Sequence, residues 1–336
     1  MTGIDLSVAI PPSFEAARHI ATAEKLGYRR AYLYDTPFEG GDVWLDLHRA
    51  AELTTTIELG PAVLIPTLRH PLVNAAQTVS LHRQAPGRIV SAFGTGFSSR
   101  AAVGQPPIRW SYMESYIRTY QALLAGETVD WEGAAIKLML TTAHADTLPL
   151  RIPLLLAATG PKGAGVAKRL GVDGLISMFD VVAAQREFPR AVVATMGTVI
   201  DDDEDPAGER VRAAVGPSWA AAYHYTYTVR GAETVREMPG GQAWLEVIEK
   251  VPHGLRHLHI HQGHMMEMND ADLAAWRAGG HASVASVTLT GDAARVRTAV
   301  SALARAGATE IMFEPSGPDI DRELETFLAA VRSSPR

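Results

Sequence analysis

This chain of 336 residues carries a formal net charge of −6, is 47% hydrophobic and contains no cysteine. Disulfides and thiolate metal sites are thereby excluded, and an acidic balance with no Lys/Arg-rich run argues against nucleic acid. No stretch of about 18 apolar residues offers a membrane span, and the opening MTGIDLSVAI lacks the basic and long apolar regions of a signal peptide, so a cytoplasmic protein is expected.

Apolar β-rich runs alternate with amphipathic stretches along the whole chain. The candidate strands are Leu6–Ile10, Tyr28–Tyr34, Ile57–Val63, Arg88–Phe93, Pro153–Ala157, Gly174–Ser177, Val193–Val199 and Glu310–Phe313. One pattern recurs in AEKLG-YRRAYLYD, AKRLG-VDGLIS and ARAG-ATEIMFEP: a helix ends at glycine and a strand follows. Gly27, Gly171 and Gly307 therefore read as helix C′ residues. Between Ile57 and Arg100 the order is strand, polar turn, helix opened by Pro71, strand and glycine loop, a βαβ unit that requires a parallel sheet.

Eight strands with helices between them is the number of a (β/α)₈ TIM barrel; an open doubly wound sheet is the alternative. The connection after the fourth strand is long and holds a helix, Tyr112–Leu124, and a hairpin turning at Glu132-Gly133. The one after the seventh is longer and mostly helical. Long insertions at those places fall on the C-terminal face, where barrel active sites lie. No linker divides the chain, so residues 1–336 read as a single domain. The acidic run Asp201–Asp205 reads as a solvated loop that ends the seventh strand and caps the next helix. Tyr112, Tyr116 and Tyr120 recur as a packing stripe, and His224, Tyr225 and Tyr227 as packing within a lid.

The segment LGPAVLIPTLRHP followed by GRIVSAFGTG resembles the third and fourth strands of luciferase-like flavin and deazaflavin oxidoreductases, in the methylenetetrahydromethanopterin-reductase-like branch. The resemblance continues through IPLLLAATGPKGAGVAKRLGVDGLIS and TGDAARVRTAVSALARAGATEIMFEPSGPDIDREL and covers nearly the whole chain. It implies a homodimeric barrel holding one isoalloxazine-type ring across the C-terminal strand ends. With F420, the favoured cofactor, the enzyme would move a hydride to or from a small organic substrate. With FMN it would be a two-component monooxygenase, taking reduced flavin from a separate reductase and using oxygen. A cofactor-binding barrel without catalysis is a further class.

Candidate site residues follow from both sources. At Gly94-Thr95-Gly96 the missing side chains would let backbone approach a ligand. Thr159-Gly160-Pro161 leads into a helix whose free N–H groups, with Lys162 beside them, suit a phosphate. Taken alone, a plain Gly-Pro helix start explains that turn better; the resemblance reverses the balance and implies that Ala158, Thr159, Gly160, Pro161 and Lys162 hold the cofactor tail. It also implies a non-proline cis peptide at Ala62-Val63, bulging behind the ring.

Asp35 ends the second strand and would face the ring, accept from a backbone N–H or make an Asx turn. Thr36 stands where many relatives carry a catalytic or substrate-binding His, and Phe97 where sugar-phosphate dehydrogenases place an acid. Both departures count against a sugar-phosphate substrate and suggest a more apolar pocket, poorer in acid–base groups. In RHLHIHQGH, alternation would put His257, His259 and His261 on one face of an extended segment. His-x-His also suits zinc in barrel hydrolases, but there it sits on the first strand, so no metal is expected here. The resemblance implies instead that His261 or His264 lines the pocket mouth, where an imidazole could donate to a substrate carbonyl or carry a proton near neutral pH.

Overall fold

The computed structural model describes residues 3–333. Its first half runs β1 (Asp5–Ile10), α1 (Ala16–Leu26), β2 (Arg30–Leu33), α2 (Val43–Leu53), β3 (Glu58–Pro61), α3 (Pro71–Gln84) and β4 (Ser91–Phe93). The first long connection holds α4 (Phe97–Ala101), α5 (Trp110–Leu124) and the hairpin β5 (Val129–Trp131) with β6 (Ala134–Ile136). Then come β7 (Leu154–Ala157), α6 (Pro161–Leu170), β8 (Gly174–Met178) and β9 (Arg190–Met196). The second insertion comprises α7 (Glu209–Arg230), α8 (Ala232–Arg236), α9 (Gly241–Ile248), α10 (Arg256–Ile260), α11 (Asp270–Arg277) and α12 (Val284–Val287). It is followed by α13 (Ala293–Ala306), β10 (Glu310–Glu314) and α14 (Ile320–Arg332).

The eight barrel strands are ordered β3-β2-β1-β10-β9-β8-β7-β4 and their pairings are parallel. β3 and β4 close the ring, because the Leu59 N–H donates to the Arg88 carbonyl at 2.7 Å and the Leu64 N–H to Ala92 at 2.8 Å. The fold is thus the expected TIM barrel with insertions after its fourth and seventh strands. Gly27, Gly171 and Gly307 do end their helices in left-handed conformation, with φ of 90°, 63° and 112°. The β5–β6 turn has positive φ at both Glu132 and Gly133, as a tight hairpin requires.

Three expectations are corrected. The seventh barrel strand is Arg190–Met196, not Val193–Val199. Its early residues pair with β8 and β10, whereas beyond Met196 the chain leaves the sheet and bonds to Leu289–Gly291. The run AVVATMGTVI is mostly apolar and carries no clear sign of where the pairing partner changes. The Asp201–Asp205 loop is exposed as expected but does not cap α7, whose N-cap is Gly208; its Glu204 pairs with Arg210. The histidine-rich segment is helical at α10, so His257, His259 and His261 do not share the face of an extended strand.

Side chains alternate along each strand, so every second residue enters the barrel. Tyr32, Val90, Leu155, Ile176, Val192 and Met312 fill its interior. The end nearest the strand N-termini is closed by charge: Glu310 accepts from Arg190 at 2.7 Å, Arg30 at 3.1 Å and the Tyr32 hydroxyl at 3.2 Å. A larger apolar layer, including Ile20, Leu47, Tyr116 and Phe327, lies between sheet and helices. The insertion after β9 has its own core of Val215, Trp219, Tyr223, Trp244, Leu245 and Trp276. No helix among the described residues is long and apolar enough to cross a membrane.

Candidate active site

β3, β4 and β7 are neighbours in the ring, so the loops leaving them stand side by side at the C-terminal mouth. The Ala62–Val63 peptide is cis. A Cβ on Gly94 would lie 2.4 Å from Val63 Cγ2, and one on Gly96 would lie 2.7 Å from Ile65 Cγ2. Gly96 also has φ of 78°. Contacts within the chain therefore require both glycines, a demand that adds to the expected approach of a ligand. Thr95 between them is partly exposed.

At the next loop Ala158 is buried while Thr159, Pro161 and Lys162 are exposed. α6 begins at Pro161 with Gly160 as N-cap, and no side chain closes its first N–H groups. Nothing lies within 4 Å of where a Gly160 Cβ would stand. This helix start is open, uncapped and flanked by a lysine, the arrangement that favours an anionic group.

Asp35 does not face open space. Arg69 donates to one carboxylate oxygen at 2.6 Å and the Ile65 N–H to the other at 3.2 Å, while Ser99 donates to the Asp35 backbone carbonyl at 3.0 Å. Of the readings available from sequence, acceptance from a backbone N–H is the one observed. Burial raises its pKa, and Arg69 offsets this in part. Thr36 is buried beside Glu39, and neither makes a well-formed side-chain hydrogen bond.

The acids that the mouth does present come from elsewhere. β10 carries Glu310 and Glu314, and both point inward by the alternation of the strand. Glu310 meets two guanidinium groups; Glu314 meets none among the described residues. Burial pushes Glu314 up to about 8, with the Tyr34 phenol beside it offsetting little. Glu39, in the short turn after β2, is pushed up to about 7 by burial. Tyr34 lies near both and donates to the Ala9 carbonyl at 3.1 Å; burial first, and then these two acids, raise its pKa. A pocket poor in acid–base groups is therefore not what forms. Two carboxyls raised to about 7 and about 8 are suited to general acid–base work near neutral pH.

A cavity of about 1270 Å³ opens on the same face, lined by Glu39, Arg49, Pro217, His261, Met266 and Pro318 among others. His261 is the histidine at its wall; His264 is also buried but does not line the cavity. Burial, then His224 and His257, lowers His261 to about 3, and burial takes His264 well below the usual value. Burial thus disfavours the charged form of both rings, which speaks against the neutral-pH proton carriage expected from sequence. Phe97 packs on Tyr225 with ring centres 5.0 Å apart, joining α4 to α7 in an aromatic wall.

The sequence profile of the luciferase-like monooxygenase family matches residues 5–310. The chain belongs to that family. Among curated relatives of this luciferase-like chain, an F420-dependent glucose-6-phosphate dehydrogenase of Beutenbergia cavernae is 38% identical over 39% of this chain and 40% of its own length. An F420-dependent hydroxymycolic acid dehydrogenase of Mycobacterium tuberculosis is 29% identical over 47% of each. The chain thus spans less than half the length of these relatives. An F420-dependent tetrahydromethanopterin reductase from Methanopyrus kandleri superposes with a TM-score of 0.65 over 97% of both chains at 19% identity. Monooxygenase RslO1 from Streptomyces bottropensis gives 0.62 at 18% identity, covering 97% of this chain and 98% of its own. At such identities the likeness concerns the luciferase-like fold.

Sequence reading of this luciferase-like barrel found the loops but missed Glu314 and Glu39. Glu314 had a signal, since EIMFE on a barrel strand sends both its glutamates inward. Glu39 had none; its burial depends on how the turn after β2 folds back.

Proposed function

We propose that this chain is an F420-dependent oxidoreductase acting on a small, largely apolar organic substrate that bears a carbonyl or hydroxyl group. The observation that carries the reading is Glu314, a buried carboxyl aimed into the barrel mouth with no cation beside it. Oxidation or reduction at a carbon bearing oxygen needs a proton moved at that oxygen, and a carboxyl held near 8 can give or take it at neutral pH.

The residues present fit the deazaflavin. Ala62 and Ala157 present only small side chains at their strand ends, which suits a flat ring, and the uncapped start of α6 suits an anionic tail. Ala62, Val63, Gly94, Thr95 and Gly96 would back the ring; Ala158, Thr159, Gly160, Pro161 and Lys162 would hold the tail. Bound F420 would supply or accept the hydride. Glu314 and Glu39 would hold the proton, Asp35 with Arg69 would fix the loop beneath them, and Phe97 with Tyr225 would keep water out. Names of relatives support F420 over FMN, and the aromatic wall in place of an acid at Phe97 supports a substrate other than a sugar phosphate.

A binding titration with F420 and with FMN, followed by absorbance and fluorescence quenching, tests the cofactor. Tight F420 binding with none for FMN is expected. Preference for FMN would replace this reading with a two-component monooxygenase. We also infer a homodimer, as the resemblance implies, with a separate reductase renewing the reduced cofactor in the cytoplasm. Exposed Leu53 on α2 and Val73 on α3 offer apolar contact for pairing. A monomer mass by light scattering would exclude the dimer.

A further inference from the structure

We propose that His224, His261 and His264 form a binding site for a zinc-class divalent ion at the cavity wall, independent of the cofactor. His224 comes from α7, His261 closes α10, and His264 lies three residues on in the turn before α11. One ring nitrogen from each lies within 4.8 Å of the others. The ring centres form a nearly equilateral triangle with sides of 5.5, 5.8 and 5.4 Å. A tetrahedral zinc with bonds of about 2.0–2.1 Å would place imidazole centres about 5.2 Å apart, so small side-chain rotations close the site.

The surroundings prepare these rings as ligands. All three are more than nine-tenths buried, and the Nδ1 atom of each lacks a hydrogen-bond partner. Three orphaned nitrogens in one place are costly unless something satisfies them. Asp272, 1% exposed, accepts from His224 Nε2 at 3.1 Å, from Trp244 Nε1 at 2.9 Å and from the Asn269 N–H at 3.1 Å. With Nε2 of His224 donating to Asp272, Nδ1 is the nitrogen left free to bind an ion. A carboxylate behind a ligating histidine is the usual outer support of a metal site. Asp272 also has no Lys or Arg partner among the described residues, so its buried negative charge is balanced by a cation bound in front of His224. The ion would tie α7 to the α10–α11 turn, with one ligand at the cavity surface.

Metal content of the full-length protein after equilibration with zinc and exhaustive dialysis tests this, alongside the visible spectrum of the cobalt(II) form. The expected result is about one zinc per chain and tetrahedral cobalt bands. His264→Ala should lose both while its circular dichroism is unchanged, and Asp272→Asn should weaken affinity by about 10–100-fold. Wild-type protein that holds half an equivalent or less and gives no cobalt bands overturns the proposal. So does a folded His264→Ala protein that keeps the full equivalent.

Discussion

Glu314 differs from Glu310 only in what surrounds it. Both point into the barrel from β10, but Arg30 and Arg190 meet the first-placed carboxylate and no cation meets the second. If Glu314 handles the substrate proton, Glu314→Gln should lower kcat by about 10²–10⁴-fold while F420 affinity holds, as separate turnover and binding measurements would show. The same group makes stability depend on pH. Its folded pKa of about 8 lies above the ordinary carboxyl value, so its contribution is fully present below about 4.5 and is lost as pH rises through 8. Glu39, near 7, acts in the same direction. Melting temperature should therefore fall between pH 5 and 9, and Glu314→Gln should flatten that fall; a rise over the same range would refute the assignment. Asp35 has a different task. Asp35→Ala would leave the Arg69 guanidinium, partly buried, facing only Asp42, and should cost about 3–5 kcal/mol by denaturant titration.

At the scale of elements, local chemistry made much of the barrel legible. Gly27, Gly171 and Gly307 announced helix ends, Pro71 a helix start, and Glu132-Gly133 a hairpin, because each is a short-range steric demand. What could not be read was set by partners far away in sequence. The frame of β9 depends on β8 and β10, and the helical state of residues 256–260 depends on packing in the insertion. The candidate site divides in the same way: the glycine and helix-start loops were visible as motifs, but the engagement of Asp35 by Arg69 and the burial of Glu39 are tertiary. The charged plug is another such feature, joining β2, β9 and β10 through Glu310. Glu310→Ala takes from the buried Arg190 its carboxylate partner among the described residues, while Arg30 keeps Asp5 and Glu58, and should lower stability by about 3–5 kcal/mol, measured as a shifted denaturation midpoint with an unchanged slope.

The barrel holds two apolar clusters, one inside it and one between sheet and helices, and the α7–α12 insertion has a third of its own. Units with separate cores open separately. Hydrogen exchange should accordingly show residues of α8 to α12 exchanging before the barrel strands, and equal protection throughout would count against this division. The insertion leaves and rejoins the barrel at one point: Leu289 N–H donates to Met196 at 2.7 Å, and Ile200 N–H to Gly291 at 2.9 Å. At Gly197 any side chain would strike the Leu289 carbonyl, 2.3 Å from an added Cβ. This doorway behaves as a socket. A foreign cartridge of helices, spliced between Ile200 and Leu289, would find its two ends already clasped and every barrel strand still in register. New substrate ranges would then be reachable by exchanging one contiguous piece of gene, with the redox floor left as it stands.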